Sequence, residues 1–399
     1  MSHKPTITDS LQFPADSKVP RALFGIGAVG LIATIIGYFF DADQFFFSYI
    51  VSFSFFTGIA LAALIMVMLH HITRSSWGVV FRRIAETFSA NLWIWAIFIL
   101  PVLLGIHNLY HWSHPELLDY SSSEFDKIIS GKSAYLNSTF FIIRQVIYFV
   151  IWGYLGYKLH KVSVEMDKTG DWGLTSLLRK VSAPGIPLFA LASFDWLMSL
   201  DPHWFSTMFG VYFFSISFQA FWPVMILLVF YMQRKGILAN TIRQVHIYDL
   251  GAWFFAFTVF YAYIAFSQFL LIYYANIPEE TIWYFHRLEG GWEFIAFSLL
   301  IFRFAVPFLI LLNREAKKNR TVLGGVSVLV LIIHFAEIYW IAMPALYDHG
   351  ISFSWMDITA FLGLGGLFFG LFFHTFKKHS MVPKNDPKLD DCLSKSYHQ

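Results

Sequence analysis

Four charged residues and one histidine lie within long apolar stretches of this 399-residue chain, and they are the first place to look for chemistry. They are Arg144, Asp195, Arg303, His334 and Glu337. A charged side chain at the centre of a bilayer costs about 3 kcal/mol on insertion scales, so a charge without a role is unfavourable there. Carboxylates and an imidazole inside a membrane could accept protons from a substrate and pass them on.

The positions of these residues along their helices predict a polar cluster at one depth in the membrane. His334 and Glu337 are three residues apart and therefore share a helix face. We expect them in the outer half of the membrane together with Arg144, Asp195, Gln268, Glu293 and His107. The candidates for a proton path are Arg144, Asp195, Arg303, His334, Glu337 and Glu293. The alternative interpretation is a set of interhelical salt bridges that holds the helices together. In either case we expect both acids to face the protein interior.

Two prolines mark a second polar region near mid-depth. Gln219 and Arg303 each lie four residues before a proline, Pro223 and Pro307 respectively. A proline removes the hydrogen bond to the carbonyl four residues earlier, so a backbone acceptor is freed beside each polar side chain. The pattern suits water-mediated proton passage, and a kink that serves only packing is the alternative.

The elements that must position these side chains are membrane helices. Apolar residues make up 57% of the chain and charged residues 14%, far below the soluble average of about 25% charged residues. Residues 59–69 lack the period-two alternation of a barrel strand. The sequence predicts an all-α polytopic membrane protein with ten transmembrane helices, at 21–40, 45–71, 90–106, 139–160, 181–199, 205–233, 248–274, 290–312, 321–343 and 355–376.

Basic residues predict the orientation, because Lys and Arg collect in cytoplasmic loops. The termini and the loops after even-numbered spans hold 23 of the 28 basic residues, whereas the loops on the other face hold three. We therefore expect both termini in the cytoplasm and the acidic loop 107–138 on the outer face. No small-residue cleavage site follows the first apolar stretch, so we interpret it as a retained helix.

Composition also limits partners and cofactors. The formal net charge of +2, without a basic stripe, argues against nucleic acid as a partner. The single cysteine, Cys392, excludes a disulfide, a thiolate zinc site and a Cys-ligated iron–sulfur cluster within this chain. His70, His71 and His374 could ligate haem near the inner helix ends, but interfacial histidines are common, and we predict no bound metal.

The predicted spans group into a repeat. Spans two to five can be laid over spans six to nine, since each set has an arginine in its third helix and an acid in its fourth. We predict two four-helix bundles, at about 45–199 and 205–343, within a membrane domain of 21–378 that has two flanking helices. Residues 1–20 and 379–399 are then irregular cytoplasmic segments. Chance similarity among Phe-rich helices is the alternative explanation.

Two stretches carry a resemblance to a known family. Residues 132–144 read K-S-A-Y-L-N-S-T-F-F-I-I-R and resemble the family pattern K-x-x-Y-L-N-x-x-F-F-x-x-R. Residues 193–207 read S-F-D-W-L-M-S-L-D-P-H-W-F-S-T and resemble its second signature. Over essentially its whole length the chain resembles the F subunits of bacterial alternative complex III, within the wider NrfD-like or polysulfide-reductase C-type membrane family.

The resemblance implies a subunit of a respiratory quinol oxidoreductase in the bacterial cytoplasmic membrane, with cytochrome c or another periplasmic protein as electron acceptor. It implies partner subunits that carry iron–sulfur clusters and c-type haem, a homologous membrane subunit, and surrounding lipids. Quinone or menaquinone is the cofactor implied for this chain. The candidates for binding it are Asp195 and His203, at motif positions, and His107, in the predicted polar cluster. Arg144 also lies at a motif position.

Two other classes of protein stay open. A structural anchor for peripheral subunits would explain the fold without any site. A secondary transporter would also have repeats and charges at mid-membrane, but it usually needs Gly-rich broken helices at matching places, and none is evident in the sequence. A transporter should purify alone, whereas an oxidoreductase subunit should co-purify with redox partners.

Overall fold

Helices form along the long apolar segments of the chain. The computed structural model describes residues 7–182, 188–347 and 350–396. In this part of the chain 76% of residues are helical, and the only β-structure is an isolated bridge between Gln12 and Ser380. The helices are α1 (Val19–Tyr38), α2 (Ala42–Thr73), α3 (Val79–Leu104), α4 (Ser138–Thr169), α5 (Leu188–Trp196), α6 (Phe209–Arg234), α7 (Gln244–Ala275), α8 (Trp292–Leu312), α9 (Arg320–Ala342) and α10 (Trp355–Phe376). Short helices lie between them at Lys127–Lys132, Leu174–Ser182, Pro278–Phe285 and Arg314–Lys318, and near the end of the chain at Leu389–Ser394.

Within the described ranges, nine of these helices are long and apolar enough to cross a membrane, and the chain is a multi-pass membrane protein. The all-helical prediction is confirmed. Helix α5 is the exception, with nine residues followed by a 3₁₀ turn at Met198–Leu200. The predicted fifth span, 181–199, includes residues 183–187, which lie outside the described residues. A tenth crossing therefore stays a prediction.

Helix α2 lies at the centre of the domain. Its most apolar stretch is buried throughout, and it packs against α3, α6, α9 and α10. The helix begins at Asp41, whose side chain accepts a hydrogen bond from the Gln44 amide at 2.9 Å. A helix that is apolar on all sides is stable only inside a protein or a membrane, and α2 is surrounded by other helices.

Helices α1 and α10 pack closely through glycines at the edge of the domain. A Cβ atom added at Gly30 would lie 2.5 Å from the Gly363 nitrogen, and one added at Gly366 would lie 2.5 Å from the Gly27 nitrogen. Thr34 donates to Thr359 at 2.9 Å across the same contact. Small residues allow this approach, which favours association of helices where no hydrophobic effect operates.

Helix α3 begins at Val79, well before the predicted start of the third span at residue 90. Arg82, Arg83 and Glu86 interrupt the apolar pattern, so the sequence indicated a loop there. In the structure all three side chains are buried on the first turns of α3. The predicted boundary is wrong because these charges neutralise each other within the protein.

The described segments near the two ends of the chain, 7–18 and 377–396, lie on one face of the helical domain, here named the terminal face. Contacts with the C-terminal segment or with each other place residues 74–78, 170–173, 235–243 and 313–319 on the same face. Contacts among the other connecting segments define the distal face, which carries 39–41, 105–137, 197–208, 276–291, 343–347 and 350–354. The Met381 amide donates to the Leu11 carbonyl at 2.7 Å, and Asp9 accepts from the Thr241 amide at 2.7 Å. The C-terminal segment contains the short helix Leu389–Ser394, so the prediction of an irregular tail is wrong there. Specific contacts hold both described segments in place.

Candidate functional site

The first group of buried polar residues, here named the Asp195 cluster, consists of Tyr135, Arg144, Gln145, Tyr148 and Asp195. Arg144 donates to both carboxylate oxygens of Asp195, with Nη2–Oδ1 at 2.8 Å and Nε–Oδ2 at 2.9 Å. The Tyr135 hydroxyl donates to Oδ1 at 3.1 Å, and the Tyr148 hydroxyl donates to Oδ2 at 3.0 Å. Gln145 Nε2 donates to Oδ2 at 3.2 Å. Asp195 is 0% exposed, so its burial and hydrogen bonding confirm the expectation for this acid.

Helix α4 and the turn before it position four of these five side chains. The helix begins after Asn137, whose side chain accepts from the Phe140 amide at 2.8 Å. The Arg144 guanidinium stacks over the Tyr135 ring at 3.9 Å from its centroid and donates to the Tyr135 carbonyl at 2.9 Å. The tyrosine and asparagine of the first sequence motif thus fix the arginine that pairs with the acid of the second.

The second group, here named the Glu337 cluster, consists of Tyr212, Tyr261, Arg303, His334 and Glu337. Arg303 Nη1 lies 2.7 Å from Glu337 Oε2 and 3.0 Å from His334 Nδ1. The hydroxyls of Tyr212 and Tyr261 both donate to Glu337 Oε1, the latter at 3.1 Å. Arg303, His334 and Glu337 are each 0% exposed, which confirms the expectation that Glu337 faces the interior.

An irregular stretch of α8 positions Arg303. The helix adopts π-helical geometry over Leu299–Ala305, and Pro307 follows. Because proline has no N–H, the Arg303 carbonyl lacks its usual helical donor. Gln219 Nε2 donates to this carbonyl at 3.2 Å, and Gln219 Oε1 accepts from Arg303 Nε at 2.9 Å. The freed acceptor predicted beside polar side chains is confirmed at this position.

The two clusters have the same construction. Each pairs an arginine from α4 or α8 with an acid from α5 or α9, and two tyrosine hydroxyls donate to each acid. In the described part of the chain, no hydrogen bond or ion pair between side chains joins them. The structure therefore separates the predicted polar cluster into two. Sequence position indicates the depth of a residue along its helix, but it does not show which neighbouring helix that residue faces.

Hydrogen bonding distinguishes the clusters. Asp195 accepts on both oxygens from neutral and charged donors, whereas His334 Nε2 has no partner in the described ranges. Because His334 Nδ1 accepts from Arg303, we infer that the imidazole is neutral and carries its proton on Nε2. The Phe55 ring packs 4.8 Å from the imidazole. Glu337 Oε2 likewise has no hydrogen bond in the described ranges beyond its ion pair with Arg303. The Glu337 cluster therefore keeps unused hydrogen-bonding capacity, whereas the Asp195 carboxylate accepts on both oxygens.

The other three predicted candidates lie at the distal face, away from both acids. His203 Nε2 is 2.6 Å from Asp126 Oδ2, and His107 Nδ1 is 3.0 Å from the Ser113 hydroxyl. Glu293 accepts from a backbone amide at the start of α8 at 2.8 Å. Burial alone would raise the pKa of Asp126, but hydrogen bonds from His203 and from backbone amides lower it overall. The structure brings none of these three candidates to Asp195 or Glu337.

A third group of buried charges, here named the terminal-face network, consists of Arg82, Arg83, Glu86, Asp167 and Asp386. Arg82 pairs with Glu86 at 2.9 Å and with Asp386 of the C-terminal segment at 2.6 Å. Arg83 pairs with Asp167 on α4 at 2.6 Å. Sequence reasoning missed this network, although the four-residue spacing of Arg82 and Glu86 is a signal for a helical ion pair.

Two of the three histidines considered as haem ligands, His70 and His374, have aromatic neighbours. His70 packs against Trp77 at 4.8 Å between ring centroids, and His374 packs against Phe24 at 6.4 Å. Among the residues that the structure describes, no group of three or more His, Cys, Asp or Glu side chains is arranged to hold a metal ion.

No protein-family model matches the chain, and no curated protein matches it. The clusters themselves therefore carry the functional argument. Their carboxylate, imidazole and phenol groups suit proton exchange, and their buried arginines suit charge stabilisation during that exchange.

Proposed function

We propose that this protein is a membrane subunit of a respiratory quinol oxidoreductase of the alternative complex III type, and that its Glu337 cluster forms part of a transmembrane proton path. The observation that carries the proposal is the contact of Arg303, Glu337 and His334 at full burial, with His334 Nε2 unpartnered in the described chain. Ionisable groups inside a membrane are costly, and they usually mark ion or proton pathways.

Quinol oxidation releases two electrons and two protons, and this chain is suited to the protons. In the proposed complex, partner subunits with iron–sulfur clusters and c-type haem take the electrons. Moving one elementary charge across the membrane is worth about 2.3 kcal/mol per 100 mV. A path through the Glu337 cluster could therefore couple quinol oxidation to the membrane potential.

The proposal includes the finer architecture. Ten helices form two four-helix bundles, α2–α5 and α6–α9, with α1 and α10 beside them. The matching of Arg144 with Arg303 and of Asp195 with Glu337 supports such a repeat. The basic residues of the terminal face support a cytoplasmic position for both termini, in the bacterial cytoplasmic membrane. The 107–138 loop would then meet peripheral subunits in the periplasm.

A structural brace is the second candidate function, and the Asp195 cluster favours it. Arg144, Gln145, Tyr135 and Tyr148 all donate to the Asp195 carboxylate. An acid with this many donors is held in one geometry. We therefore assign the brace to the Asp195 cluster and the proton path to the Glu337 cluster.

The test compares Glu337→Gln, Asp195→Asn and the exposed control Glu315→Gln in the intact complex, reconstituted in vesicles. Quinol oxidation and proton release are measured together. We expect Glu337→Gln to assemble but to change the number of protons released per electron, because the amide keeps the shape and cannot titrate. Asp195→Asn should reduce the yield of assembled complex, and Glu315→Gln should behave as the unmodified protein. Normal proton stoichiometry in assembled Glu337→Gln would contradict the proposed path.

A further inference from the structure

A cavity of about 460 Å³ lies beside the Glu337 cluster, between α7 and α8 near the distal face. This volume is within the range of small-molecule pockets, about 300–1,000 Å³. The residues that decide its chemistry are Tyr212, Tyr261, Ala265, Gln268, Trp283 and Tyr284. Both tyrosines that hold Glu337 thus belong to the wall of the cavity.

The rim of the cavity faces lipid. Phe266, Phe297 and Leu300 border it and are 60%, 64% and 57% exposed, respectively. Exposed apolar side chains on membrane helices contact the hydrocarbon of the bilayer. An occupant would therefore enter sideways from the membrane, between α7 and α8, and would itself be lipid-soluble.

The hydrogen bonds that Tyr212 and Tyr261 already make decide what kind of polar group an occupant can present to these two tyrosines. The hydroxyls of Tyr212 and Tyr261 each have one hydrogen, and both hydrogens are directed to Glu337 Oε1. Their oxygens can still accept a hydrogen bond. A ligand that meets these tyrosines must therefore donate, as a hydroxyl group does.

Aromatic side chains and one amide complete the wall. Trp283 and Tyr284 come from the short helix Pro278–Phe285, and their rings lie 4.9 Å apart. Gln268 is 2% exposed; its Oε1 accepts from Ser206 at 3.3 Å, and its Nε2 is 3.4 Å from the Tyr284 hydroxyl. Both distances are long for hydrogen bonds, so this amide can re-pair with a ligand at little loss.

We propose that this cavity binds the hydroxylated ring of a lipid-soluble hydroquinone, with a ring hydroxyl donating to Tyr212 or Tyr261. The ring would lie against Trp283 and Tyr284, and the isoprenoid or alkyl tail would leave between α7 and α8. A single tyrosine hydroxyl would then lie between the ring hydroxyl of the ligand and the Glu337 carboxylate. The choice of hydroquinone as ligand class rests on the proposed function, whereas the cavity and its acceptor character do not.

A second, larger groove lacks the hydrogen-bonding groups that this cavity offers. It has a volume of about 640 Å³ and is lined by apolar residues of α1, α9 and α10, including Leu331 and Ile332. Its one carboxylate, Asp357, already accepts from Ser48 at 2.6 Å and from Gln44 at 3.1 Å. This groove offers nothing to orient a polar head and suits lipid chains.

The test uses the full-length chain in lipid nanodiscs and measures ligand binding by equilibrium dialysis without oxygen. Menadiol is the donor probe, and 1,4-dimethoxynaphthalene has the same ring system without a donor. We expect menadiol to bind at least tenfold more tightly than the dimethoxy compound. Tyr212→Phe and Tyr261→Phe remove one acceptor each, and the variant that removes the acceptor of the ring hydroxyl should weaken menadiol binding about fivefold. Unchanged binding in both variants would contradict the contact with these tyrosines.

A second pair of variants keeps the test valid if the tyrosine variants fold poorly. Ala265→Trp places a large ring in the cavity and should abolish menadiol binding. Ala256→Trp, on the exposed side of the same helix, should leave it unchanged. Equal affinity for the two probes, or unchanged binding in Ala265→Trp, would overturn the site. If menadiol fails to bind in this cavity but Glu337→Gln still changes the proton stoichiometry, the binding proposal fails and the proton path stands. If menadiol binds as expected but Glu337→Gln has a normal proton stoichiometry, the proton path fails and the binding site stands.

Discussion

At the scale of single residues, the chemistry of arginine explains why the two clusters are built alike. A guanidinium presents several donors in a fixed plane, so it can hold a carboxylate, a carbonyl and an aromatic ring at once. Arg144 uses Asp195, the Tyr135 carbonyl and the Tyr135 ring in this way. A lysine at either position would supply charge without this geometry.

The Asp195 cluster should respond to substitution as a brace. We expect Asp195→Asn to lower the free energy of unfolding by about 3–5 kcal/mol, because Arg144 would stay buried without a counter-charge. The double variant Arg144→Met with Asp195→Leu should recover part of this loss, since no charge is left unpaired. Tyr135→Phe should cost only about 1 kcal/mol. Denaturant unfolding of the full chain, followed by tryptophan fluorescence, measures all three. An Asp195→Asn variant as stable as the unmodified chain would contradict the brace.

At the scale of helices, close packing and irregular geometry occur where a specific contact requires them. The π-helical segment of α8 contains Arg303 and sets the direction of its side chain. The Arg303 carbonyl, which has no helical donor because of Pro307, accepts from the Gln219 side chain. The sequence predicted this freed carbonyl because proline chemistry is local. It did not predict the π-helical turn, because that turn depends on how neighbouring helices pack around Arg303.

The glycine contact between α1 and α10 offers a matched test at this scale. Gly363→Ala would place a Cβ atom 2.8 Å from the Leu31 nitrogen, whereas Gly25→Ala on α1 has nothing within 4 Å. We expect Gly363→Ala to lower the free energy of unfolding by about 1–3 kcal/mol through overpacking. Gly25→Ala should be neutral or slightly stabilising.

Helix separation can be measured directly for the same variants. A disulfide between cysteines placed at Thr34 and Thr359, in a chain with Cys392→Ser, reports whether α1 and α10 stay in contact. The cross-link should form readily in Gly25→Ala and slowly in Gly363→Ala. Equal rates in the two variants would show that the backbone approach is not limiting.

At the scale of the whole molecule, composition and the cost of intramembrane charge predicted the helices and the buried acids. The same reasoning could not predict the partners of those acids. Tyr212 and Tyr261 are two of 19 tyrosines in an aromatic-rich chain, and nothing in their spacing sets them apart. Sequence reasoning also placed Arg82 and Arg83 in a loop. Their partners Asp386 and Asp167 are far away in the sequence, so local spacing does not indicate these ion pairs.

Asp386 of the C-terminal segment completes the terminal-face network. We expect the attachment of this segment to the rest of the helical domain to depend on pH. Burial alone would raise the pKa of Asp386, but the charge and hydrogen bond of Arg82 lower it overall. A lowered pKa means that the contact contributes stability above the ordinary value, about 3.9, and loses it as pH falls through the folded pKa. We expect the protection of backbone amides in residues 377–396 of the reconstituted chain, taken relative to their intrinsic exchange rates at each pH, to fall in that acid range. Asp386→Asn should raise exchange already at neutral pH.

Asp391→Asn is the control, because its ion pair with Lys388 is exposed, and exposed ion pairs contribute little to stability. Equal exchange in the two variants would show that the other contacts of the segment hold it without Asp386.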